Sequence, residues 1–118
     1  MTSDSTTHLL TKLLDLTAER QRVLSHNLAN VNTPGFRRKD IKFEQDLGAA
    51  LRQGPSGLSD FQPQVEEDAH AAVRADGNSV QFDLELAEMS KNAMLYQLAM
   101  QAMQQRISLT RTAVTGRA

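Results

Sequence analysis

The sequence predicts an all-α protein in which long N- and C-terminal helices pack as a coiled-coil-like pair, joined by a mostly irregular middle that holds one signal for a short β-hairpin. Three observations carry this expectation. Apolar residues between Leu9 and Val31 fall at helical spacing, those from Leu86 to Val114 keep a heptad, and the turn formers collect between the two runs. At 118 residues the chain has room for a single domain of ordinary size. Its expected division is an N-terminal helix over 5–32, a turn and irregular region over 33–82, and a C-terminal helix over 83–114.

In the first helix Leu10, Leu14, Thr17, Leu24, Leu28 and Val31 form one seam, widened by Leu9, Leu13, Leu16 and Val23. Ser5 or Thr6 is the expected cap at its start. Its other end is "SHNLANVNTPGF", Ser25 to Phe36. Pro34 pushes Thr33 out of the α region. Pro34-Gly35 is then the central pair of a type II turn, with Gly35 at positive φ, so the helix is expected to stop near Asn32. Asparagine competes for backbone hydrogen bonds and is a poor helix former. The crowding of Asn27, Asn30 and Asn32 therefore calls for a reason beyond propensity. Capping of the helix end accounts for Asn32.

The middle zone keeps no sustained period. "QGPSGLSDFQPQ", Gln53 to Gln64, reads as a flexible loop, and "VRADGNSVQF" supplies a hairpin turn at Asp76-Gly77. Nothing in this zone is expected to bury a core. The last helix opens with Asp83 as N-cap and Phe82 as a staple residue. Leu86, Met89, Ala93, Tyr96, Met100, Met103, Ile107, Thr110 and Val114 mark its seam against the first helix. A second stripe, Leu95, Leu98, Ala102 and Leu109, lies on another face. One partner helix cannot cover both, and an uncovered apolar stripe of this kind marks an interaction surface. Aromatic content is only 4%, little for a self-sufficient core. These features point to a subunit that completes its core by assembling with others.

The composition excludes several classes of function. A net charge of -1 gives no general attraction to nucleic acid or anionic membrane, and Arg37, Arg38 and Lys39 read as a solvated or subunit-facing cluster. There is no cysteine, hence no disulfide or thiolate site. His8, His26 and His70 lack metal-ligand spacing. Glu66, Glu67 and Asp68 read as an exposed acidic loop, and Ser25-His26 is no dyad, because consecutive helix residues point about 100° apart. No catalytic residue, cofactor site or metal site is expected. Neither a basic, apolar, small-residue leader nor a membrane-spanning apolar run is visible.

"SHNLANVNTPGFRRKD", Ser25 to Asp40, resembles the signature of the flagellar basal-body rod and hook family. Ser25, Asn27, Leu28, Ala29, Asn30, Asn32, Thr33, Pro34, Gly35 and Phe36 carry it. "RADGNSVQFDLELAEMSKNAMLYQ" and "RTAVTGR" are similar to the short proximal-rod members in particular. The chain has no room for the large β-rich insertion of distal-rod and hook members, and it lacks the "NVNPVEEM" stretch of the second small rod protein. The resemblance implies a structural subunit of the proximal rod in the flagellar basal body, part of the drive shaft that transmits torque. It further implies export by the flagellar type III system without a cleaved signal, and, in the assembled tube, hydrogen bonds from Asn27 and Asn30 to neighbouring subunits. The implied partners are the chain itself, other rod proteins, the rod–MS-ring junction protein, the MS ring and the export gate, with no nucleic acid, small-molecule substrate or membrane insertion. The competing reading is a coiled-coil adaptor or export chaperone that binds partner helices along the Leu95 to Leu109 stripe.

Overall fold

The computed structural model describes residues 3–116. Two long helices dominate it: α1 (Ser3–Ala29) and, after four short intervening elements and a turn, α4 (Phe82–Thr115). Between them lie β1 (Lys39–Asp40), α2 (Glu44–Arg52), α3 (Pro55–Asp60) and β2 (Glu66–Glu67). Helices α1 and α4 run antiparallel, since Asn27 meets Glu85, Thr17 meets Asn92, and Thr7 shares a groove with Met103. The molecule measures 63 × 29 × 14 Å, with a radius of gyration of 17.8 Å, against about 13–14 Å for a compact chain of this length.

The end of α1 follows from its asparagines and proline. The helix stops at Ala29, three residues before Asn32. Asn30 and Val31 continue as single turns, with main-chain bonds back to Asn27 and Leu28. The expected turn is present: the Phe36 amide donates to the Thr33 carbonyl at 3.2 Å and Gly35 takes φ 78°. Ser5 and Thr6, the expected caps, lie inside the first turns of α1.

The middle zone overturns the expectation that it buries nothing. Phe43, Leu47 and Leu58 join Leu16 of α1 in the main buried cluster, with Leu9, Leu13, Leu51, Phe61 and Leu95 packed on it. The two short helices that carry or follow these residues escaped periodicity because α2 gives only about two and a half turns of repeat and α3 fewer than two. Helix α3 interrupts the expected Gln53–Gln64 loop, opened by Pro55 in its first turn. Phe43 is 1% exposed. It is clamped from above by Arg20, whose guanidinium lies 4.0 Å from the ring centroid, donates to the Ile41 carbonyl at 3.0 Å and forks onto Glu44 at 2.6 and 2.9 Å.

The strands also differ from expectation. Lys39 pairs with Glu67 and Asp40 with Glu66 in an antiparallel two-residue ladder. The Asp76-Gly77 turn forms, closed by Gly77 N to Arg74 O and Arg74 N to Asn78 O at 2.9 Å each, but no strands flank it. Helix α4 begins one residue early. Its N-cap is Gln81, while Asp83 and Phe82 fall in the first turn, where Asp83 and Glu85 face the positive end of the helix dipole.

The α1–α4 seam is rotated from the expected one. Glu85, Asn92 and Ala99 are the buried heptad positions of α4, each one residue before the expected Leu86, Ala93 and Met100. Leu86, Tyr96, Ile107 and Val114 are exposed, Val114 at 80%. Met89, Ala93, Met100 and Met103 flank the seam half-buried. From α1, Leu24 is fully buried and Leu10, Leu14 and Leu28 are half-buried. The apolar count along α4 favoured one face. Side-chain hydrogen bonding to α1 decides for the neighbouring face, because Glu85 and Asn92 find partners there.

Candidate functional site

The signature segment and the "RADGNS" segment, Arg74 to Ser79, build one interlocked joint at the end of α1. A helix end leaves carbonyls without intrahelical donors, and here the donors come from 43–48 residues downstream. Asn78, fully buried, aims its Nδ2 at the carbonyls of Asn30 (2.9 Å), Val31 (3.2 Å) and Thr33 (2.8 Å). Its own Oδ1 accepts from the Val80 amide at 2.6 Å. Arg74 spans the same gap, donating to Val31 O and, at 2.7 Å, to Val80 O. The Gly35 amide donates to Asp76 O and the Ser79 amide to Phe36 O, both at 2.9 Å. The two glycine turns lie so close that a Cβ on Gly77 would sit 3.3 Å from Gly35 Cα.

A second layer of the joint is ionic. Arg38 Nε donates to Glu85 Oε1 at 2.6 Å and Nη1 to Asp68 Oδ2 at 2.7 Å, with Asp40 at 3.6 Å. Asn27 closes the cluster. Its Nδ2 donates to the Lys39 carbonyl (2.7 Å) and to Glu85 Oε2 (3.3 Å), while its Oδ1 accepts from the Lys39 amide (2.9 Å). Burial works to lower the Arg38 pKa, but the hydrogen bonds and charges of Glu85, Asp68 and Asp40 raise it above its ordinary value. Burial likewise works to raise that of Asp68, and the bonds from Arg38 and the His70 amide hold it below the usual carboxylate range. These ionic groups have one task, to hold α1, β1 and the start of α4 together.

The asparagine question is answered within the chain. Asn27 bonds to Lys39 and Glu85, and Asn30 caps locally, donating to His26 O at 2.9 Å and accepting from Thr33 Oγ1 at 3.1 Å. Asn27 is fully buried, while Asn30 is partly exposed. Asn32 is exposed, and the carbonyls at the helix end are met by Asn30 and Asn78. Arg38 is likewise no solvated cation, although Arg37 and Lys39 are exposed. Asp68 leaves the expected acidic loop to pair with Arg38. Of the remaining signature residues, Ser25, Ala29, Thr33 and Pro34 are exposed, and Phe36 leans on the His26 ring at 5.6 Å. Glu85, Asn78 and Ser79 carry no signal of periodicity.

The expected assembly stripe divides. Leu95 packs on the Leu16–Phe43 core and Ala102 is half-buried beside α1, whereas Leu98 and Leu109 are 61% and 63% exposed. Met94, at 64%, extends the exposed part. Among the described residues no helix is long and apolar enough to cross a membrane.

Residues 14–37, the second half of α1 and the turn of the joint, match the family model of the flagella basal body rod protein. The chain is 33% identical over 107 residues to the flagellar basal body rod protein FlgB of Aeromonas hydrophila, covering 80% of this chain and 81% of that one. It is 32% identical over 106 residues to FlgB of Borrelia hermsii, with 74% and 78% covered. With FlgB of Proteus mirabilis it shares 28% over 112 residues, with 80% and 82% covered. Likeness that spans both long helices and the joint between them, at this identity, places the chain in the FlgB family of flagellar basal body rod proteins, structural subunits of the basal body.

Proposed function

We propose that the chain works as a single rod-subunit domain of the proximal rod, taking its place through the exposed stripe of α4. The observation that carries this is the contrast between the two ends of its chemistry. The joint satisfies its polar groups internally, whereas Met94, Leu98 and Leu109 stand more than half exposed on a 34-residue helix. Exposed apolar residues in a row are costly in water and are covered in an assembly. The partners that fit are further copies of the chain and other rod proteins, with the MS ring, its junction protein and the export gate at the base. The rigid antiparallel pair, tied by ionic contacts at one end, suits a part that transmits torque and is not an enzyme. The test is complementation. A tagged chain supplied to cells lacking their own copy should restore swimming and co-purify with intact basal bodies. Recovery only in the soluble fraction, with swimming unrestored, would sink the reading in favour of an adaptor.

A further inference from the structure

Asn92 is 3% exposed on the inner face of α4. Its Nδ2 donates to the Thr17 carbonyl at 2.7 Å and to Gln21 Oε1 at 2.8 Å. A main-chain acceptor fixes the amide in this sense, so Oδ1 points away, and it is buried with no hydrogen-bond partner. Buried acceptors in folded proteins are nearly always satisfied, and an exception calls for a donor supplied from elsewhere. Asn92 also lines a groove along the α1–α4 seam, together with Ala18, Gln21, Ala93, Tyr96 and Gln97. No charged side chain lines that groove. A lysine or arginine inserted there would lose its hydration without meeting a counter-ion, so a neutral donor fits. Ala18 and Ala93 leave room for a helix to approach closely.

The chain carries a seam of matching chemistry. Met94, Leu98, Gln101 and Gln105 follow one another at intervals of four, three and four on α4, and all are exposed. They form a short heptad stripe, uncharged like the groove, with primary amides in its second half. By helical geometry it lies about 140° around α4 from the groove wall.

We propose that the groove over Asn92 receives the Met94–Gln105 stripe of a second copy of this chain, with the Gln101 amide donating to Asn92 Oδ1. The assignment rests on the rod-subunit reading and gives that reading a contact. Stripe and groove occupy different faces, so the contact is heterologous. Each copy offers one and uses the other, and the assembly stays open instead of closing as a two-fold dimer. Because Asn92 Oδ1 is shut off from water in the single chain, docking includes a small opening of the groove wall.

The absence of cysteine makes disulfide trapping clean. Ala18→Cys and Gln101→Cys both fall at exposed helix positions, and the double variant is to be supplied as the only copy in cells. Oxidised basal bodies should yield a ladder of cross-linked chain at least ten times stronger than the Arg52→Cys/Gln101→Cys control gives. The single variants should give no ladder. Adding Gln101's neighbour as the site instead, in Ala18→Cys/Gln104→Cys, should give a weaker ladder. Basal bodies that contain the chain but give no ladder above the control overturn the groove assignment and leave the rod-subunit reading standing. Disulfides to a different protein overturn the second-copy occupant. Basal bodies that lack even the unsubstituted chain overturn both readings, and basal bodies that take up the unsubstituted chain but exclude the Gln101→Cys single variant support the contact.

Discussion

Arg38 and Glu85, forty-seven residues apart, meet in a buried ion pair with Arg38 Nε 2.6 Å from Glu85 Oε1. The Glu85 side chain is 1% exposed and that of Arg38 11%. Asn27 donates to the same carboxylate, so one acidic group on α4 ties down both the end of α1 and the segment after the signature turn. The pair adds a charged tie to the main-chain bonds that already join these segments, and this defines what its loss should do.

Removing one partner strands the other charge in a dry site, which costs about 3–5 kcal/mol, whereas replacing both with apolar groups of similar size is often near neutral. Arg38→Met alone, which leaves the buried Glu85 carboxylate with only the Asn27 amide, is therefore expected to lower the urea midpoint sharply. The Arg38→Met/Glu85→Leu double variant should recover a large part of that loss. Recovery is incomplete because Asp68 and Asn27 also lose a partner. Additive losses in the two single variants would show that Arg38 and Glu85 do not act as a pair.

Gly35 and Gly48 make opposite predictions. Gly35 sits at φ 78° in the signature turn, where a β-branched residue is strained, so Gly35→Val should destabilise by about 1–3 kcal/mol. Gly48 lies within α2 with nothing near the place a Cβ would take. Gly48→Ala should stabilise by about 0.4–1 kcal/mol, chiefly by restricting the unfolded chain. Thermal melts of the two variants read both effects. Equal shifts of the same sign would contradict the turn geometry.

The hydrogen bonds from Arg20 outweigh burial at Glu44 and hold its pKa at about 2, below the ordinary 4.5. A depressed carboxylate pKa contributes stability that is fully present above the unfolded value and is lost as pH falls through the folded one. The contribution should therefore be intact from pH 5 upward and fade between about 4.5 and 2. The Glu44 side chain is 60% exposed, so solvent keeps the effect at the low end for ion pairs, about 1 kcal/mol or less. Glu44→Gln should lower stability at neutral pH by that amount and converge with the parent chain near pH 2, which flattens the acid limb. A neutral-pH loss larger than the acid-limb change would place the role of Glu44 in packing.

Much of the architecture was legible in periodicity, and the reasons for the misses are specific. The long helices declared themselves because many turns of repeat average out single exceptions. Pro34-Gly35 declared its turn because few residues tolerate that geometry. The face of α4 was misread by one residue. Apolar content could not reveal that Glu85 and Asn92, which look like surface residues, find Arg38, Asn27 and Thr17 across the seam. Helices α2 and α3 are too short to declare a period, so their buried residues Leu47 and Leu58 carry no core signal in the sequence. The joint was half legible. "NTPG" and "ADGN" each read as a turn, but their interlocking through Asn78 and Arg74 is a long-range event with no local signature.

Leu98 separates the fold from the assembly. It lies on α4 beside Ala99 but about 100° around the helix from it, and it is 61% exposed while Ala99 is 2% exposed. Leu98→Glu should therefore leave the α1–α4 pair intact, with a change in folding stability within about 0.5 kcal/mol, as for other exposed helix positions. In an assembled rod the same carboxylate would be buried without a partner, which costs several kcal/mol. Cells carrying Leu98→Glu should accordingly make a folded chain but no rod, and be non-motile. Lys91→Glu is the control, one heptad earlier on the same face and, at 74% side-chain exposure, nearer the polar start of α4. Its charge reversal opposes Glu88 but inserts nothing into an apolar contact, so swimming should be mildly affected. A soft-agar swimming assay with purified-protein melts separates the two effects. Normal swimming by Leu98→Glu cells would mean that this stripe faces water in the rod, and the exposed apolar row would then need another cover.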